Sequence, residues 1–384
     1  MRYKKLNEVN LSNKSVLLRL DLNTPIENGL VANKERIIRS LPTINFILKS
    51  CSHLIIMSHL GRPEENDNIQ QKFSLEPVVR ETERLLNKTI PIYSLSDIEN
   101  LNLVGDISFI ENTRFYVGEK SNDSVLSSRF ANLADLFVMD AFATSHRAHA
   151  STTGVVKFST DACAGLLLDE ELQALSKVKQ NSQNSVAILG GSKISTKLSL
   201  IDSLSKSMDK VILGGGIANT CLAAKGYALG KSLVEESMMQ QAKKLIDNPK
   251  IIIPEKLIVS ESPDKEGRIT SADLIKKSES IFDIAPEALA DLEPILQNAG
   301  TILWNGPVGF FEKANFSKGT TKIAEMISSS KGFSVLGGGD TISAAEKAGV
   351  IDKIDYVSTA GGAFLEFMEG KKLPAIEALT QKVL

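Results

Sequence analysis

A single local pattern occurs four times in the second half of this chain, and it constrains the fold more than any other feature. Each copy consists of a short apolar run, a turn of small residues and the start of a helix-like segment. The four copies are AILGGSK (187–193), VILGGGIAN (211–219), SVLGGGDT (334–341) and VSTAGGAF (357–364). Apolar runs of strand length bounded by glycine, with helices between them, are typical of buried parallel strands in an open sheet.

The same alternation continues through the first half. The predicted strands there are 15–20, 53–58, 107–110 and 136–139, and the predicted helices include 36–49 and 75–86. The predicted strands of the second half are 185–189, 210–213, 301–304, 333–336 and 355–358. Residues 166–180 have helical periodicity without a neighbouring strand, which indicates a helix between two domains.

Length agrees with two domains, because the chain has 384 residues and single cores stop growing near ~250–300 residues. We therefore predict an α/β fold of two doubly wound, Rossmann-like parallel-sheet domains joined by a hinge helix.

Composition limits the kinds of partner and compartment. Apolar residues make up 42% and charged residues 23%, with a net charge of −2. No apolar run approaches the ~18 residues of a membrane-spanning helix. Cys51, Cys163 and Cys221 lie far apart without paired spacing, which favours a reducing compartment. We expect a cytoplasmic protein that binds neither nucleic acid nor a membrane.

Arginine and histidine are concentrated in the first half. Ten of the eleven arginines lie between Arg2 and Arg147, and all four histidines lie between His53 and His149. A solvated surface explains any one of these arginines as well as a binding site does. As a set they favour a site, because guanidinium groups recognise carboxylate and phosphate through paired hydrogen bonds. The first half is therefore predicted to bind a small, multiply anionic molecule.

Several polar residues of the first half follow directly after predicted strands. They are Asp21, Asn23, His59, Arg62, Arg114 and Arg147. Each has a structural alternative, since Asp21 can cap a turn and His59 can be an ordinary loop histidine. His146 and His149 have the i, i+3 spacing of metal ligands but no nearby carboxylate or cysteine to complete a site. Polar groups at the ends of successive strands favour one shared site.

The glycine turns of the second half have the features of a phosphate site. Tight packing of a helix against a strand explains one such turn. Four such turns at one edge of a sheet favour a nucleotide-binding site. Lys193 and Lys197, four residues apart on one predicted helical face, can reach phosphate oxygens or form a solvated face. Asp340 is either a Mg²⁺ partner beside the phosphates or, with Thr341, a helix N-cap.

Two common nucleotide motifs do not fit this chain. GGGIAN and GGGDTI both differ from the G-x-G-x-x-G fingerprint, which disfavours an NAD-dependent dehydrogenase. The segment GYALGKS (226–232) has three residues between its glycines, where a Walker A loop has four. A binding titration with a nicotinamide nucleotide tests whether the protein is a dehydrogenase.

Nine stretches in order along the chain resemble the phosphoglycerate kinase family. They are VLLRLDLNTP, ERIIRSLPTI, SHLGRP, DAFATSHRAHAST, LGGSKISTKLSLIDSL, LGGGIANT, ILWNGPVGFFE, LGGGDT and VSTAGGAFLEFMEGKKLP. The resemblance implies a monomeric, cytoplasmic, hinge-bending kinase of glycolysis that transfers a phosphoryl group between 1,3-bisphosphoglycerate and ADP, with Mg²⁺. It implies a substrate domain at 1–168, with 371–384 packing back on it, and a nucleotide domain at 169–370.

The resemblance also implies roles for individual residues. The substrate-binding residues are Asp21, Asn23, Arg36, His59, Arg62, Arg114 and Arg147. The nucleotide-binding residues are Lys193, Lys197, Gly214, Gly215, Asn305, Glu312, Gly338, Gly339, Asp340 and Thr341, with Asp340 on the metal side. The catalytic residues are Arg36, Lys197, Gly361 and Gly362. Closure about the 166–180 helix is expected to exclude water and assemble the site.

One alternative within the family is a paralogue that binds the ligands without turnover, which the joint presence of Arg36, Lys197 and Asp340 disfavours. The chain also has alanine at two positions, Ala143 and Ala360, where the family usually has glycine. Alanine held at positive φ carries a strain of ~1–3 kcal/mol. We predict that Ala360 has negative φ and that Gly361 and Gly362 carry the unusual geometry.

Overall fold

The computed structural model describes residues 2–100, 105–180 and 183–383. The chain divides into two compact units, one of Met1–Leu172 with Lys372–Leu384 and one of Gln173–Lys371. The boundary between them falls inside the predicted connecting helix, which spans Leu166–Gln180. The assignment of substrate binding to one unit and nucleotide binding to the other remains a prediction.

The first unit is built around a parallel sheet. Its described strands are β1 (Ser15–Leu20), β2 (Ile26–Glu27), β3 (Leu30–Val31), β4 (His53–Met57), β5 (Ile92–Tyr93), β6 (Ile107–Ile110), β7 (Leu136–Asp140) and β8 (Asp161–Ala164). Six of them form the sheet in the order β5-β6-β4-β1-β7-β8, and β2 pairs with β3 as a separate hairpin. The helices are α1 (Glu35–Leu48), α2 (Glu76–Leu86), α3 (Leu95–Ile98), α4 (Ser124–Ala131), α5 (Val155–Phe158) and α6 (Leu166–Gln180).

The second unit contains a parallel and an antiparallel sheet. Its described strands are β9 (Ser185–Leu189), β10 (Lys210–Leu213), β11 (Ile251–Ile252), β12 (Lys256–Ser260), β13 (Arg268–Ser271), β14 (Ser280–Ile284), β15 (Thr301–Asn305), β16 (Phe333–Gly337) and β17 (Tyr356–Ser358). The parallel sheet has the order β11-β10-β9-β15-β16-β17, and the antiparallel sheet has the order β13-β12-β14. The helices are α7 (Leu198–Ser207), α8 (Gly215–Ala224), α9 (Met239–Ile246), α10 (Pro286–Gln297), α11 (Lys318–Ser329), α12 (Gly339–Lys347) and α13 (Gly362–Met368).

The two parallel sheets confirm the predicted fold class, and their strands begin and end close to the predicted residues. Every residue of β4, β7, β9 and β15 is buried, as expected for strands covered by helices on both faces. Helix α1 buries Ile37, Ile44 and Ile47, which share one face at helical spacing. Continuous apolar runs in the sequence therefore predict the positions of the central strands of both sheets.

The last helix, α14 (Pro374–Val383), belongs to the first unit. The backbone amide of Ala375 at its start donates to the carbonyl oxygen of Ser145 at 3.2 Å. Lys382 Nζ near its end donates to the carbonyl oxygen of Ser159. These contacts hold the C-terminal segment beside the loop that follows β7.

Aspartates fix the amino ends of the central strands. In the first unit Asp135 Oδ2 accepts from the amide of Ser15 at 2.9 Å, and in the second Asp209 Oδ2 accepts from the amide of Ser185 at 2.9 Å. Each serine hydroxyl also donates to the same carboxylate, at 2.7 Å and 3.1 Å. These carboxylates lie at the end of each sheet away from the predicted sites.

Candidate active site

The predicted substrate residues of the first unit follow four neighbouring strands, β6, β4, β1 and β7. The pairs among these strands are parallel, so their carboxyl ends share one edge of the sheet. The residues that follow them there are Asp21, Asn23, His59, Arg62, Arg114 and Arg147. We call this set, together with Arg36, the arginine edge.

Ion pairs and hydrogen bonds hold four members of the arginine edge in place. Arg36, in the first turn of α1, forms an ion pair with Asp21. Asn23 Oδ1 accepts from the amide of Gly61 at 2.9 Å, and Arg114 Nη1 donates to the carbonyl oxygen of the same glycine. Gly61, in the loop after β4, therefore holds Asn23 through its amide and Arg114 through its carbonyl oxygen. Burial and the neighbouring arginines lower the pKa of Arg114 to about 10.

Arg62 and Arg147 lie at the exposed rim of this edge. Arg147 Nε donates to His146 Nε2 at 3.2 Å, and no ion pair of Arg62 is found in the described parts of the chain. Both guanidinium groups are therefore accessible to an anion from solvent.

His59 is buried among these cations and is electrically neutral. Its Nδ1 lies 3.3 Å from Arg19 Nη2 and 3.9 Å from Asp21 Oδ1. Because a guanidinium group can only donate, Nδ1 accepts and the ring proton resides on Nε2. Burial, followed by the charges of Arg19, Arg114, Arg36 and Arg147, lowers the pKa of His59 well below its ordinary value. His59 thus offers a neutral N–H donor at the arginine edge.

His59 is expected to remain uncharged in the folded protein at pH 6.5, where an ordinary histidine is half protonated. Since the folded-state pKa lies below the unfolded-state value, this group stabilises the fold above pH 6.5 and the contribution is lost as the pH falls. NMR of the ¹⁵N-labelled imidazole rings measures both tautomer and pKa, with His59→Gln assigning the signals. A His59 signal that titrates near 6.5 would contradict this expectation.

A pair of buried charged side chains beneath the arginine edge was missed by sequence reasoning. Arg19 is 1% exposed and Glu119 is 0% exposed, and Ser151 lies between them. Arg19 Nε donates to Ser151 Oγ at 3.0 Å, and that hydroxyl donates to Glu119 Oε1 at 2.6 Å. Burial lowers the pKa of Arg19 and raises that of Glu119. The arrangement fixes the guanidinium group that faces His59.

The four glycine turns of the second unit lie at one edge of its parallel sheet. They follow β9, β10, β16 and β17, and Asn305 ends β15 between them. The strands are parallel throughout this sheet, so these turns share its carboxyl edge, as the sequence predicts. We call this edge, with Lys197 and Asp340, the glycine edge.

Lys197 is the cation at the centre of the glycine edge. Its Nζ donates to the carbonyl oxygens of Gly190 at 2.6 Å and of Asn305 at 2.8 Å. Burial lowers the pKa of Lys197 to about 8, and the charge of Asp340 opposes this shift. Two neutral carbonyls leave the ammonium charge uncompensated, which suits an anionic ligand.

The prediction that Lys193 and Lys197 share a helical face is wrong. Helix α7 begins only at Leu198, and residues 191–197 form an irregular loop. Gly190 and Gly191 disfavour an earlier start, because glycine is a poor helix former. Lys193 is exposed on this loop, whereas Lys197 points into the sheet edge.

Asn305 and Thr341 connect the turns after β15 and β16. Thr341 Oγ1 donates to the carbonyl oxygen of Gly337 at 2.8 Å and accepts from the amide of Gly306 at 2.7 Å. Asn305 Nδ2 donates to the same Gly337 carbonyl. Asn305 Oδ1 is buried and has no partner among the described residues, so a ligand donor can use it.

Asp340 lies exposed in the first turn of α12, whose N-cap is Gly338. The interpretation of Asp340 or Thr341 as a side-chain N-cap is wrong, because no side chain caps this helix. Within the described residues no group of three His, Cys, Asp or Glu side chains could hold a metal, and this includes His146 and His149. A single carboxylate fits Mg²⁺ that takes its other ligands from nucleotide phosphates and water.

The remaining residues predicted to bind the nucleotide lie at the starts of α8 and α12 and on the loop after β15. Gly214 is the N-cap of α8, and Gly339 begins α12. The amide of Gly215 donates to the carbonyl oxygen of Val308 at 2.9 Å, which ties α8 to that loop. Glu312 is exposed near the end of the loop.

The turn after β17 adopts the geometry predicted for Ala360 but not for both glycines. Ala360 is not among the described residues with positive φ, and neither is Ala143. Gly361 has φ +54° and ψ −110°, a conformation that glycine tolerates best. Gly362 begins α13 instead, so the prediction of unusual geometry for it is wrong. The two alanine substitutions therefore introduce no left-handed strain.

Comparison with known proteins identifies the group to which this arrangement belongs. A family model described as phosphoglycerate kinase matches residues 6–371. Phosphoglycerate kinase of Coxiella burnetii (strain RSA 493 / Nine Mile phase I) is 45% identical over 387 residues, covering 98% of each chain. The structure of phosphoglycerate kinase from C. burnetii has a TM-score of 0.96 at 44% identity over 100% of both chains. The crystal structure of the enzyme from Pyrococcus horikoshii OT3 has a TM-score of 0.80 at 29% identity over 99% of both chains.

Two doubly wound sheets, one with a cationic edge and one with a glycine-rich edge, define a phosphotransferase. The chain belongs to the phosphoglycerate kinase family, as the nearly full-length match and the 45% identical relative show. It is thus a kinase of glycolysis that acts on small molecules and uses a nucleotide as co-substrate.

Proposed function

We propose that the arginine edge binds 3-phosphoglycerate or 1,3-bisphosphoglycerate and that the glycine edge binds Mg-ADP or Mg-ATP. The observation that carries this division is the placement of cations. The first edge presents Arg36, Arg62, Arg114 and Arg147 at the ends of adjacent strands, or facing them. The second presents Lys197, which donates to carbonyl oxygens at the sheet edge, together with the glycine turns that lead into helices such as α8. Planar guanidinium groups suit carboxylate and phosphate, whereas helix N-termini suit a polyphosphate.

At the arginine edge Asp21 and Asn23 orient the substrate together with His59. Asp21 holds the Arg36 side chain, which is 31% exposed and can still reach a ligand. The Nε2 proton of His59 is available to a carboxylate or hydroxyl oxygen of the substrate. Arg62, Arg114 and Arg147 compensate the substrate's negative charge.

At the glycine edge the nucleotide replaces the backbone carbonyl oxygens as the hydrogen-bond partner of Lys197. Its phosphates would lie against Lys193, Lys197, Gly338, Gly339 and Thr341, and its remaining contacts would be to Gly214, Gly215, Asn305 and Glu312. Asp340 would hold Mg²⁺, which would neutralise negative charge on the phosphates. A phosphate beside Lys197 raises the pKa of that amine and keeps it protonated.

The chemical step is a direct transfer in which one P–O bond forms as another breaks. In the direction of ATP synthesis an ADP β-phosphate oxygen attacks the acyl phosphate, and the carboxylate of 3-phosphoglycerate leaves. In reverse that carboxylate is already a nucleophile, so no general base is required. Arg36 on one side, and Lys197 with the amides of Gly361 and Gly362 on the other, stabilise charge on the equatorial oxygens.

Asp340→Asn is expected to raise the Mg²⁺ concentration needed for half-maximal activity by about tenfold or more, because a neutral amide is a weaker ligand for a hard cation. Titration of activity with Mg²⁺ at fixed nucleotide measures this effect. Asp352→Asn, a change at another exposed aspartate of the second unit, is the control. An unchanged Mg²⁺ requirement in Asp340→Asn would remove Asp340 from the metal site.

We further propose that the chain acts as a cytoplasmic monomer independent of nucleic acid and membranes. Its net charge is −2, and its three cysteines are free. None of the described helices is both long and apolar enough to cross a membrane. Sedimentation of the purified protein, with and without nucleic acid, measures its oligomeric state and its association.

The direct test of the proposed function is formation of ATP from 1,3-bisphosphoglycerate and ADP. We expect turnover that requires Mg²⁺ and stops on addition of a chelator. Binding of both ligands without turnover would instead identify the non-catalytic paralogue. Binding of a nicotinamide nucleotide in place of ADP would overturn the proposal.

A further inference from the structure

A buried carboxylate of the second unit has no part in the proposed chemistry. Asp283 lies in β14 of the antiparallel sheet and is 1% exposed. Its partners are backbone amides: Gly319 donates to Oδ2 at 2.7 Å, and Ile284 donates to Oδ1 at 2.9 Å. No lysine or arginine pairs with it in the described parts of the chain. Burial of a carboxylate without a cationic partner is unfavourable, so the backbone groups that surround Asp283 must stabilise it.

The carboxylate of Asp283 is enclosed by two glycines from different segments. A Cβ atom at Gly309 would lie 2.1 Å from Oδ1, and one at Gly319 would lie 2.2 Å from the same oxygen. Gly309 belongs to the loop after β15, and Gly319 belongs to the first turn of α11. The side chain therefore fixes the distance between that loop and that helix start.

The contact continues from α11 to the glycine edge through hydrogen bonds. Thr320 Oγ1, next to Gly319, accepts from the amides of Val308 and Gly309, each at 3.2 Å. The carbonyl oxygen of Val308 accepts from the amide of Gly215 at the start of α8. Each step joins backbone to a side chain or to another backbone group, with no flexible side chain between Asp283 and α8.

The loop after β15 is held at a second point beside Asp283. The amide of Phe310 donates to the carbonyl oxygen of Phe282 in β14 at 2.7 Å. The rings of Phe282 and Phe310 stack with centroids 6.1 Å apart. Strand β14 therefore controls the loop through both its backbone and its buried carboxylate.

We propose that Asp283 is a positioning residue for the nucleotide site, because it sets the loop 306–312 against the N-terminus of α8. This inference rests on the proposed function, since it takes the glycine edge as the nucleotide site. The antiparallel sheet thereby contributes to binding of the nucleotide, although it lies outside the glycine edge. The residue touches neither ligand and acts through Gly319, Thr320 and Val308.

The test compares Asp283→Asn with Asp209→Asn, which alters a half-buried carboxylate that also accepts a backbone amide but lies at the opposite end of the parallel sheet. We expect the KM for Mg-ATP to rise about tenfold or more in Asp283→Asn, because an amide group then faces a backbone N–H. The KM for 3-phosphoglycerate should change less than about twofold. Asp209→Asn should lower thermal stability without altering either KM.

Thr320→Val provides a second variant of similar shape should Asp283→Asn not fold. It removes the hydroxyl that accepts from Val308 and Gly309, and the same selective rise in KM for Mg-ATP is expected. A folded Asp283→Asn or Thr320→Val protein with unchanged KM for Mg-ATP would overturn the inference, as would an equal rise in both KM values. Failure of the wild-type protein to bind Mg-ATP would instead overturn the proposed function.

Discussion

Arg36→Ala is expected to reduce turnover at least about 10²-fold, with little change in nucleotide affinity. Arg36 extends from the first turn of α1 and pairs with Asp21, and its side chain remains partly exposed. Negative charge develops on the transferring phosphoryl group in the transition state. Its attraction to the guanidinium group of Arg36 is therefore stronger there than in the ground state. The variant also leaves Asp21 without its cation, which adds repulsion to an anionic substrate. Steady-state rates with both substrates varied measure the effect.

Arg84→Ala is the matched control for this prediction. Arg84 lies in α2 of the same unit, is paired with Glu81 and is mostly exposed. Its removal should leave turnover within about twofold of wild type, because an exposed ion pair contributes little. Near wild-type turnover in Arg36→Ala would remove Arg36 from the catalytic role.

Lys197→Ala is expected to lower kcat/KM for Mg-nucleotide by about 10²-fold or more. Lys197 is the buried cation of the glycine edge, and its amine lies between the carbonyl oxygens of Gly190 and Asn305. Alanine removes the positive charge and leaves both carbonyls facing the phosphates. Both effects disfavour the nucleotide, and the loss should increase as charge moves onto the transferring group. The KM for 3-phosphoglycerate should change much less.

Lys206→Ala is the control for Lys197, since Lys206 is an exposed lysine at the other end of α7. It should match wild type in both kinetic constants. If Lys197→Ala had normal kcat/KM, the glycine edge would have to bind its ligand without this cation.

The central strands could be predicted from the sequence because their burial on both faces requires continuous apolar runs. The run in β9, SVAIL, is buried throughout, and the structure begins and ends this strand at the predicted residues. Edge strands gave a weaker signal. Strands β5 and β11 contain only two residues each, too few for periodicity to indicate them. The antiparallel sheet was also missed, because β12, β13 and β14 follow one another without an intervening α-helix and so depart from the strand–helix alternation.

The positions of the predicted site residues followed from one rule, that the carboxyl ends of parallel strands share an edge. Their surroundings did not follow from it. Arg19 and Asp283 lie within largely apolar strands, and Glu119 has ordinary polar neighbours in the sequence. A charged residue that is buried by distant segments leaves no local pattern, so only the structure shows these groups. Lys193 was misplaced because the helix was predicted to include residues 193–197, whereas α7 begins only at Leu198.

The measurement that tests the central claim most directly is a crossed binding experiment by calorimetry. The affinities for 3-phosphoglycerate and for Mg-ADP are each measured with wild type, Arg36→Ala and Lys197→Ala. If the two edges divide the ligands as proposed, Arg36→Ala weakens binding of 3-phosphoglycerate alone and Lys197→Ala weakens binding of Mg-ADP alone. Weakening of both ligands by either variant, or the reversed pattern, would contradict the assignment of one ligand to each edge.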